Sequence, residues 1–251
     1  MTSVQTPSMR SQLHPMIRQW ADQIEAVWRS YLDLSPYQLP DDLGYIEGRL
    51  EGERLVIENR CFQTPEFRKL HMELAKVGKN TDILHCVMFP REDYALPMFG
   101  TDLVCGQKRV SAAIVDLSPT SPDQSLPSGY VEQLVNLSPI DFNEPRDLPA
   151  WGDIFSDYCL FVRPTDSDEE AQFVQRASDF LKLHCQQAIA TQSSAENRQL
   201  IIAGQNRYCE KQQRNDKTRR VLERAFGADW ADRYMKTVLF DMPNGELDAD
   251  V

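Results

Sequence analysis

Two of the four histidines in this chain of 251 residues lie within fifteen positions of each other, in the segment HMELAKVGKNTDILHCVMFP. The segment contains His71, Glu73 and His85, and Asp102 follows in a shorter apolar stretch, FGTDLVCG. Imidazole and carboxyl groups that lie side by side can give and take protons near neutral pH, because histidine titrates in that range. These four residues are therefore candidates for acid–base chemistry.

The local pattern predicts how strands would bring these residues together. Side chains alternate between the two faces of a strand, so His71 and Glu73 share one face of FRKLHMELAKV. If GKN is a three-residue hairpin loop, Val77 pairs with Thr81 and Glu73 lies opposite His85. A slip of one residue would place the two on different faces, so this prediction depends on the register.

Three interpretations of the group stay open from the residues alone. The side chains could be structural or solvent-facing, they could bind iron or zinc, or they could handle protons. Two histidines and a carboxylate are a common ligand set, but no H-x-H or H-E-x-x-H spacing supports a metal. Asp102 needs a partner in its apolar strand, and beside a histidine it would form a proton-sharing pair.

Composition excludes several other classes of protein. The net charge of −11 argues against a general nucleic-acid binder, which needs a basic surface. Six cysteines occur without any C-x-x-C spacing, so we expect free thiols rather than a zinc or redox motif. The sequence has no apolar run long enough to span a bilayer and no secretory signal. We therefore expect a soluble, cytoplasmic protein, and a monomer, since no obligate dimer surface is evident.

The spacing of the apolar residues predicts a single α+β domain. Residues 45–118 read as short extended runs joined by tight turns, which indicates an antiparallel meander of five or six strands. Residues 119–152 contain six prolines and are expected to form a long surface loop, after which DYCLFVRP is expected to form one more strand. The three-and-four spacing of helices covers residues 13–31, 168–190, 195–213, 217–226 and 228–240.

The sequence also allows predictions for the two ends of the chain and for the two remaining histidines. We expect residues 1–12 to be a flexible N-terminus, 13–241 to form the domain, and 242–251 to be an acidic tail. His14 precedes the first helix and is expected to be a surface or capping residue. His184 lies on an apolar helix face and is expected to be a core histidine.

Long stretches of the sequence resemble the ferredoxin-dependent bilin reductases. They are PYQLPDDLGYIEGRLEGERLVIENRCFQTPEFRKLHMELAKVGKNTDILHCVMFP, LPMFGTDLV, VSAAIVDLSP, LPAWGDIFSDYCLFVRP and QQRNDKTRRVLERAFGADWADRYMKTVLFD. The resemblance covers about residues 13–241. It implies an α/β/α sandwich, in which one antiparallel sheet lies between helices and an open-chain tetrapyrrole binds on one side of the sheet.

The resemblance also implies an activity. It is the four-electron reduction of biliverdin IXα to phycocyanobilin by single electron and proton transfers, the D-ring vinyl before the A-ring side. Ferredoxin supplies the electrons, and the enzyme holds neither flavin nor metal. Three alternatives remain: a two-electron relative that forms another bilin, a metal-dependent oxidoreductase that uses the His and carboxylate group, and a bilin carrier without catalysis.

The family's functional residues carry over to positions in this sequence. The resemblance places a proton-sharing pair on Asp102 and His85, and a glutamate that protonates the D-ring vinyl on Glu73. It places the substrate-binding residues at His71, Ser111, Arg146, Asn215 and Lys217.

A partner that is acidic, as plant-type ferredoxins are, needs a basic docking face on this acidic protein. Residues 200–224 contain seven bases against three acids, a local charge of +4. The bases are Arg207, Lys211, Arg214, Lys217, Arg219, Arg220 and Arg224. A second predicted part of this face consists of Arg68, Lys69, Lys76 and Lys79. The alternative is that helices merely alternate charge in solvent.

Overall fold

An antiparallel sheet forms the centre of the computed structural model, which describes residues 9–106 and 109–243. Within these residues the sheet has eight strands in the order β1-β3-β4-β5-β6-β7-β8, and β2 also pairs with β3. The strands are β1 Ser35–Pro36, β2 Tyr45–Leu50, β3 Glu53–Gln63, β4 Phe67–Val77, β5 Thr81–Pro90, β6 Met98–Cys105, β7 Val110–Ser118 and β8 Leu160–Val162. Strands β2 to β7 are the predicted meander, and β8 is the additional strand expected in DYCLFVRP.

Helices cover both faces of the sheet. They are α1 Pro15–Tyr31, α2 Ser128–Leu134, α3 Ser167–Ala190, α4 Arg198–Gln213, α5 Asp216–Phe226 and α6 Ala228–Tyr234. A π-helical turn, Met235–Leu239, continues α6. One sheet between two layers of helices confirms the predicted α+β fold class and its α/β/α sandwich.

The face covered by α1, α2 and α3 is a continuous apolar core. Trp20 and Trp28 of α1 and Phe173 of α3 are buried there against strand residues such as Met72 and Leu84. Because side chains alternate along a strand, the residues between these core positions project to the opposite face. That second face, which α4, α5 and α6 cover, holds the candidate acid–base residues.

The start of α1 agrees with its sequence. His14 is the N-cap, and its Nδ1 accepts a hydrogen bond from the backbone N–H of Met16 at 3.3 Å. Pro15 takes the first helical position, where its missing N–H leaves no helical hydrogen bond unmade. The expectation that His14 is a capping residue is confirmed.

The proline-rich segment 119–152 was predicted to be a surface loop, but part of it is helical and packs into the core. Ser128–Leu134 form α2 directly after Pro127, and Tyr130 and Leu134 are buried in the core beside α3. A helix of seven residues has too few apolar positions to show a helical spacing in the sequence, and the surrounding prolines favour the prediction of a loop.

The N-terminus was expected to be flexible and the C-terminus to be an acidic tail, and part of each lies outside the described residues. In the N-terminal part, Met9–Gln12 form a 3-10 helix whose Met9 is buried in the core, so packed structure extends into the predicted flexible segment 1–12. Residues 1–8 and 244–251 lie outside the described residues. All six cysteines are free thiols, as expected. Among the helices in residues 9–106 and 109–243, none is long and apolar enough to cross a membrane.

Candidate active site

The β4–β5 hairpin and strand β6 bring three of the candidate residues into one row across the sheet. Val77 pairs with Thr81, and Glu73 lies opposite His85, as the three-residue loop predicts. His85 in turn lies opposite Asp102 on β6. All three side chains line the same cavity, so the predicted register is confirmed.

His85 and Asp102 form a hydrogen-bonded pair, with 2.6 Å between Nδ1 and Oδ1. The His85 side chain is 12% exposed and the Asp102 side chain 46% exposed. Burial lowers the pKa of His85, but the charge and hydrogen bond of Asp102, together with the charge of Glu73, outweigh burial and raise it. The pair can therefore hold a proton at neutral pH while facing the cavity.

Glu73 is almost fully buried, at 8% exposure, yet it lines the cavity. Burial raises the pKa of its carboxyl group, and the neighbouring charge of His85 and the Tyr234 hydroxyl offset only part of this rise. The Tyr234 hydroxyl lies 2.6 Å from Oε2. A carboxyl in this setting stays protonated at a pH where an exposed glutamate has ionised.

His71 lies behind this row and does not line the cavity. It is fully buried, its ring is 5.8 Å from the ring of His85, and its Nε2 lies 2.8 Å from Oδ1 of Asn59. Burial, followed by the charges of Lys69 and His85, holds the pKa of His71 well below its usual value. His71 is thus a neutral neighbour of the acid–base row, and its predicted contact with substrate remains a prediction.

The cavity has a volume of about 930 Å³ and lies between the sheet and the helical side formed by α4, α5 and the loop that precedes β8. This volume falls in the upper part of the range of small-molecule sites. Most of the wall is apolar. The apolar lining includes Leu55, Ile57, Ala75, Ile83, Val104, Ile114, Trp151, Phe155, Phe161, Val221, Leu222, Leu239 and Phe240. A flat, largely apolar molecule would therefore lose most of its contact with water here.

The predicted substrate-binding residues Ser111 and Arg146 line the same cavity. The Arg146 guanidinium donates to the backbone carbonyl of Ser111 at 2.7 Å and lies over the ring of Phe161, 5.1 Å from its centroid. These two contacts fix the orientation of the guanidinium without neutralising its charge, so it can still bind an anionic group.

Asn215 and Lys217 line the cavity at the start of α5. Asn215 caps this helix, its Oδ1 accepting from the backbone N–H groups of Lys217 at 3.2 Å and Thr218 at 3.5 Å. The Lys217 ammonium has no salt bridge among the described residues. Arg163, Arg214 and Arg220 also line the cavity, although sequence reasoning did not assign them to substrate. The basic run in residues 200–224 was the signal that could have identified the last two.

The second predicted part of the docking face needs correction at two of its four bases, Arg68 and Lys69. Lys69 is fully buried, donates to the carbonyl of Val238 at 2.8 Å and forms a salt bridge with Asp241. Arg68 also binds Asp241. These two bases anchor the end of the π-helical turn to the sheet, so they are not part of an exposed basic surface. The anchored segment places the Phe240 ring 5.4 Å from the ring of His85.

The metal-binding interpretation finds no support in residues 9–106 and 109–243. No group of three or more His, Cys, Asp or Glu side chains in this part of the chain is arranged to hold a metal ion. Within the row, His85 is instead hydrogen-bonded to Asp102 and interacts with Glu73 through charge.

Comparison with known proteins identifies relatives along nearly the whole chain. Residues 21–241 match the sequence model of a family described as ferredoxin-dependent bilin reductase. A protein of Trichodesmium erythraeum named phycocyanobilin:ferredoxin oxidoreductase is 55% identical over 245 residues, which cover 97% of this chain and 100% of the relative. A protein of the same name from Synechococcus elongatus is 57% identical over 247 residues, with the same coverage.

Solved structures show the same architecture. The crystal structure of phytochromobilin synthase from tomato in complex with biliverdin superimposes with a TM-score of 0.74 at 16% identity, covering 89% of this chain and 82% of that chain. At this identity the likeness concerns the fold. The family model and the two relatives, however, span almost the full sequence, and the chain therefore belongs to the ferredoxin-dependent bilin reductase family.

Proposed function

We propose that this bilin reductase converts biliverdin IXα into phycocyanobilin, with electrons from ferredoxin and protons from Glu73 and the His85–Asp102 pair. The observation that carries the proposal is the meeting of these three side chains on one wall of an apolar cavity with basic residues at its edge. Relatives that share more than half of the sequence bear the name of this reaction, which supports the same substrate and product.

The cavity suits an open-chain tetrapyrrole with two propionate groups. Its apolar wall would bury the conjugated rings, while fixed or unpaired cations would bind the carboxylates. We assign propionate binding to Arg146 and Lys217, with Ser111 and Asn215 as adjacent polar contacts. His71, which does not line the cavity, would act through the residues in front of it.

Ferredoxin delivers electrons one at a time and brings no protons. Reduction of biliverdin to phycocyanobilin adds four electrons and four protons, so each added electron must be balanced by a proton from the cavity. Each electron places negative charge on the bilin, and a nearby acid that gives up its proton neutralises that charge. Electrons pass directly from ferredoxin to the bilin, so the proposed mechanism uses no flavin and no metal in the enzyme.

Glu73 and the His85–Asp102 pair would serve different steps. Glu73 keeps its proton because burial raises its pKa, and we assign it to the D-ring vinyl, which is reduced first. The His85–Asp102 pair keeps a proton near neutral pH because charge raises the pKa of His85, and we assign it to the remaining protonation of the bilin. Protons are then replenished from solvent between electron transfers.

Ferredoxin would dock on the exposed bases beside the cavity. Within residues 200–224, Lys211, Arg219 and Arg224 already form salt bridges with protein carboxylates. Arg214 and Arg220 are exposed, form no salt bridge among the described residues and lie at the cavity wall. A cationic patch at this position attracts an acidic protein and shortens the path for the electron.

Anaerobic turnover with biliverdin and reduced ferredoxin, followed by identification of the bilin product, tests the proposed reaction. The wild type is expected to form phycocyanobilin, and Glu73→Gln to slow the D-ring step by about 10²- to 10⁴-fold, the usual contribution of a positioned acid. Glu132→Gln, an exposed change on α2, is the matched control and should leave the product unchanged. Binding of biliverdin without turnover, or a wild-type product reduced by only two electrons, would contradict the proposal.

Ionic strength tests the docking surface separately. Turnover should fall steeply as salt is added, because screening weakens the attraction between exposed charges, while the affinity for biliverdin should change much less. Turnover that is independent of salt would argue against electrostatic docking and leave the assigned chemistry in place.

A further inference from the structure

The hydroxyl group of Tyr234 lies between two acceptors. It is 2.6 Å from Oε2 of Glu73 and 3.0 Å from Oδ1 of Asn59. Tyr234 is fully buried at the end of α6, and its ring stacks on Trp230 with 4.8 Å between centroids and 13° between planes. A phenol carries one proton and can donate to only one acceptor at a time, so the two contacts compete.

Asn59 is fixed in its orientation by a third group. Its Nδ2 donates to the carbonyl of Leu43 at 2.7 Å, which turns Oδ1 towards Tyr234 and His71. Because Oδ1 can only accept, the proton of the neutral His71 ring must lie on Nε2. Asn59 therefore presents a constant acceptor to Tyr234, and the variable acceptor is Glu73, whose carboxyl group can be neutral or charged.

The two oxygens of Glu73 have different surroundings. Oε2 faces the Tyr234 hydroxyl inside the protein, whereas Oε1 has no hydrogen bond among the described residues, and the side chain lines the cavity. The proton that Glu73 can transfer to a bound molecule is therefore the one on Oε1. When the Oε1–H bond breaks and the proton passes to the substrate, the negative charge left on the carboxylate is shared with Oε2.

We propose that Tyr234 is a positioning residue that holds Oε2 of Glu73, leaves Oε1 as the proton-donating atom, and stabilises the carboxylate that remains after the transfer. Asn59 is the second acceptor of the Tyr234 hydroxyl while Glu73 is neutral. A hydrogen bond to a charged oxygen is stronger than one to a neutral oxygen, so the hydrogen bond from Tyr234 strengthens as Glu73 loses its proton. It therefore lowers the activation free energy of the proton transfer. The inference rests on the proposed role of Glu73 as a proton donor.

The groups that face Glu73 from the neighbouring elements set its pKa together with Tyr234. His71 precedes it on β4, His85 faces it from β5, Asp102 faces it from β6 beyond His85, and Tyr234 approaches from α6. The charge of His85 and the hydrogen bond of Tyr234 lower the pKa of Glu73, while burial and Asp102 raise it. A change at Tyr234 alone leaves the other groups in place, so its effect can be measured separately.

Tyr234→Phe removes the hydroxyl and keeps the ring that stacks on Trp230. We expect the D-ring step to slow about tenfold to hundredfold, since a hydrogen bond to a charged group is lost. The protonated form of Glu73 should persist to higher pH, so the alkaline limb of the rate profile should move upward. Tyr130→Phe, which removes a buried hydroxyl on the opposite face of the sheet, should change neither quantity. A lower rate with an unmoved limb would mean that Tyr234 only packs, and would overturn the proposal.

Titration of the Glu73 carboxyl group in the ligand-free protein by infrared spectroscopy, with Glu73→Gln identifying the band, gives a readout that does not depend on activity. Tyr234→Phe should move its midpoint to higher pH, and Asn59→Leu, which removes the competing acceptor, to lower pH. Equal midpoints in the wild type and both variants would refute the proposal even if one variant were too unstable for kinetics. A wild type that titrates as expected but does not reduce biliverdin would instead refute the proposed function.

Discussion

The fully buried His184 and the largely buried His85 lie on opposite faces of the same sheet, and the protein moves their pKa values in opposite directions. His184 on α3 is fully buried among Phe67, Phe99 and Tyr130, and burial lowers its pKa to about 3. Its Nδ1 lies 2.9 Å from the Tyr130 hydroxyl. A neutral partner of this kind gives the charged form of the ring no compensation for the loss of water.

His85 is surrounded by protein as well, but its partner is a carboxylate. The hydrogen bond to Asp102 and the charges of Asp102 and Glu73 more than offset burial and raise the pKa of His85. The difference between the two faces teaches that burial alone does not decide the charge of a histidine. His85, whose partner is a carboxylate, can hold a proton near neutral pH, whereas His184, whose partner is a hydroxyl, stays neutral.

The largest expected loss of activity comes from changing Asp102, the carboxylate that His85 has and His184 lacks. Asp102→Asn keeps the size of the side chain but removes its charge, so burial is opposed only by Glu73 and the pKa of His85 should fall. We expect bilin reduction to drop about 10²- to 10⁴-fold, the range for loss of an acid–base group. Anaerobic turnover and an NMR titration of His85 measure the two effects. Full activity, or an unchanged titration of His85, would show that the charge of Asp102 is not what sets this site apart.

Truncation of the histidines should separate activity from stability. His184→Ala leaves a hole in the core and an unpaired Tyr130 hydroxyl, so we expect the free energy of unfolding to fall by about 2–5 kcal/mol with little change in turnover per folded molecule. His85→Ala should instead lower turnover strongly and the free energy of unfolding only slightly. Asp102 is 46% exposed and can be hydrated once His85 is gone. Urea denaturation together with turnover measures both. Equal losses of stability for the two variants would contradict the contrast between the faces.

The pH dependence of stability should carry opposite signs for the two histidines. The unfolded chain binds a proton at His184 below about pH 6.5, whereas the folded protein does not until the pH nears 3. Stability should therefore be lost as the pH falls through this window, by up to about 1.4 kcal/mol per pH unit. For His85, whose folded pKa is raised, the contribution is fully present below the unfolded pKa and is lost as the pH rises through the folded value.

Urea denaturation between pH 3 and 8 of the wild type, His184→Asn and His85→Asn tests these signs. Asp116 adds a contribution of its own, because burial raises its pKa to about 6 and its ionisation destabilises the folded protein as the pH rises. Differences between each variant and the wild type remove this shared contribution. His184→Asn should flatten the loss on acidification, and the same slope in both proteins would be inconsistent with a neutral buried His184.

The sequence was sufficient for the parts of the site that local geometry determines. Gly78 in the GKN loop has φ +53°, a value that favours glycine, and the short loop sets Glu73 opposite His85. The position of His184 on an apolar helix face likewise predicted a core histidine, and this was confirmed. Alternation and helical periodicity act over a few residues, so they can be read directly from the chain.

Contacts between distant parts of the chain could not be predicted in this way. Tyr234 contacts Glu73 across 161 residues, and its helical position indicates only that it is buried. Lys69 was counted as a surface base because its partner Asp241 lies 172 residues away. A charge count along the sequence does not contain this pairing, and only the packing of the C-terminal segment on the sheet reveals it.

The smallest expected effect compares the two buried tyrosine hydroxyls that accompany the two sites. Tyr130→Phe leaves Nδ1 of His184 without its partner, while Nε2 already has none among the described residues. We expect the free energy of unfolding to fall by about 1–2 kcal/mol, the cost of one unmade buried hydrogen bond, with no change in the rate of bilin reduction. Urea denaturation and turnover of the same preparation measure the two quantities. Tyr130 does not line the cavity. A slower reduction with unchanged stability would therefore mean that the two faces of the sheet are coupled. The acid–base row of Glu73, His85 and Asp102 would then not work independently of the core behind it.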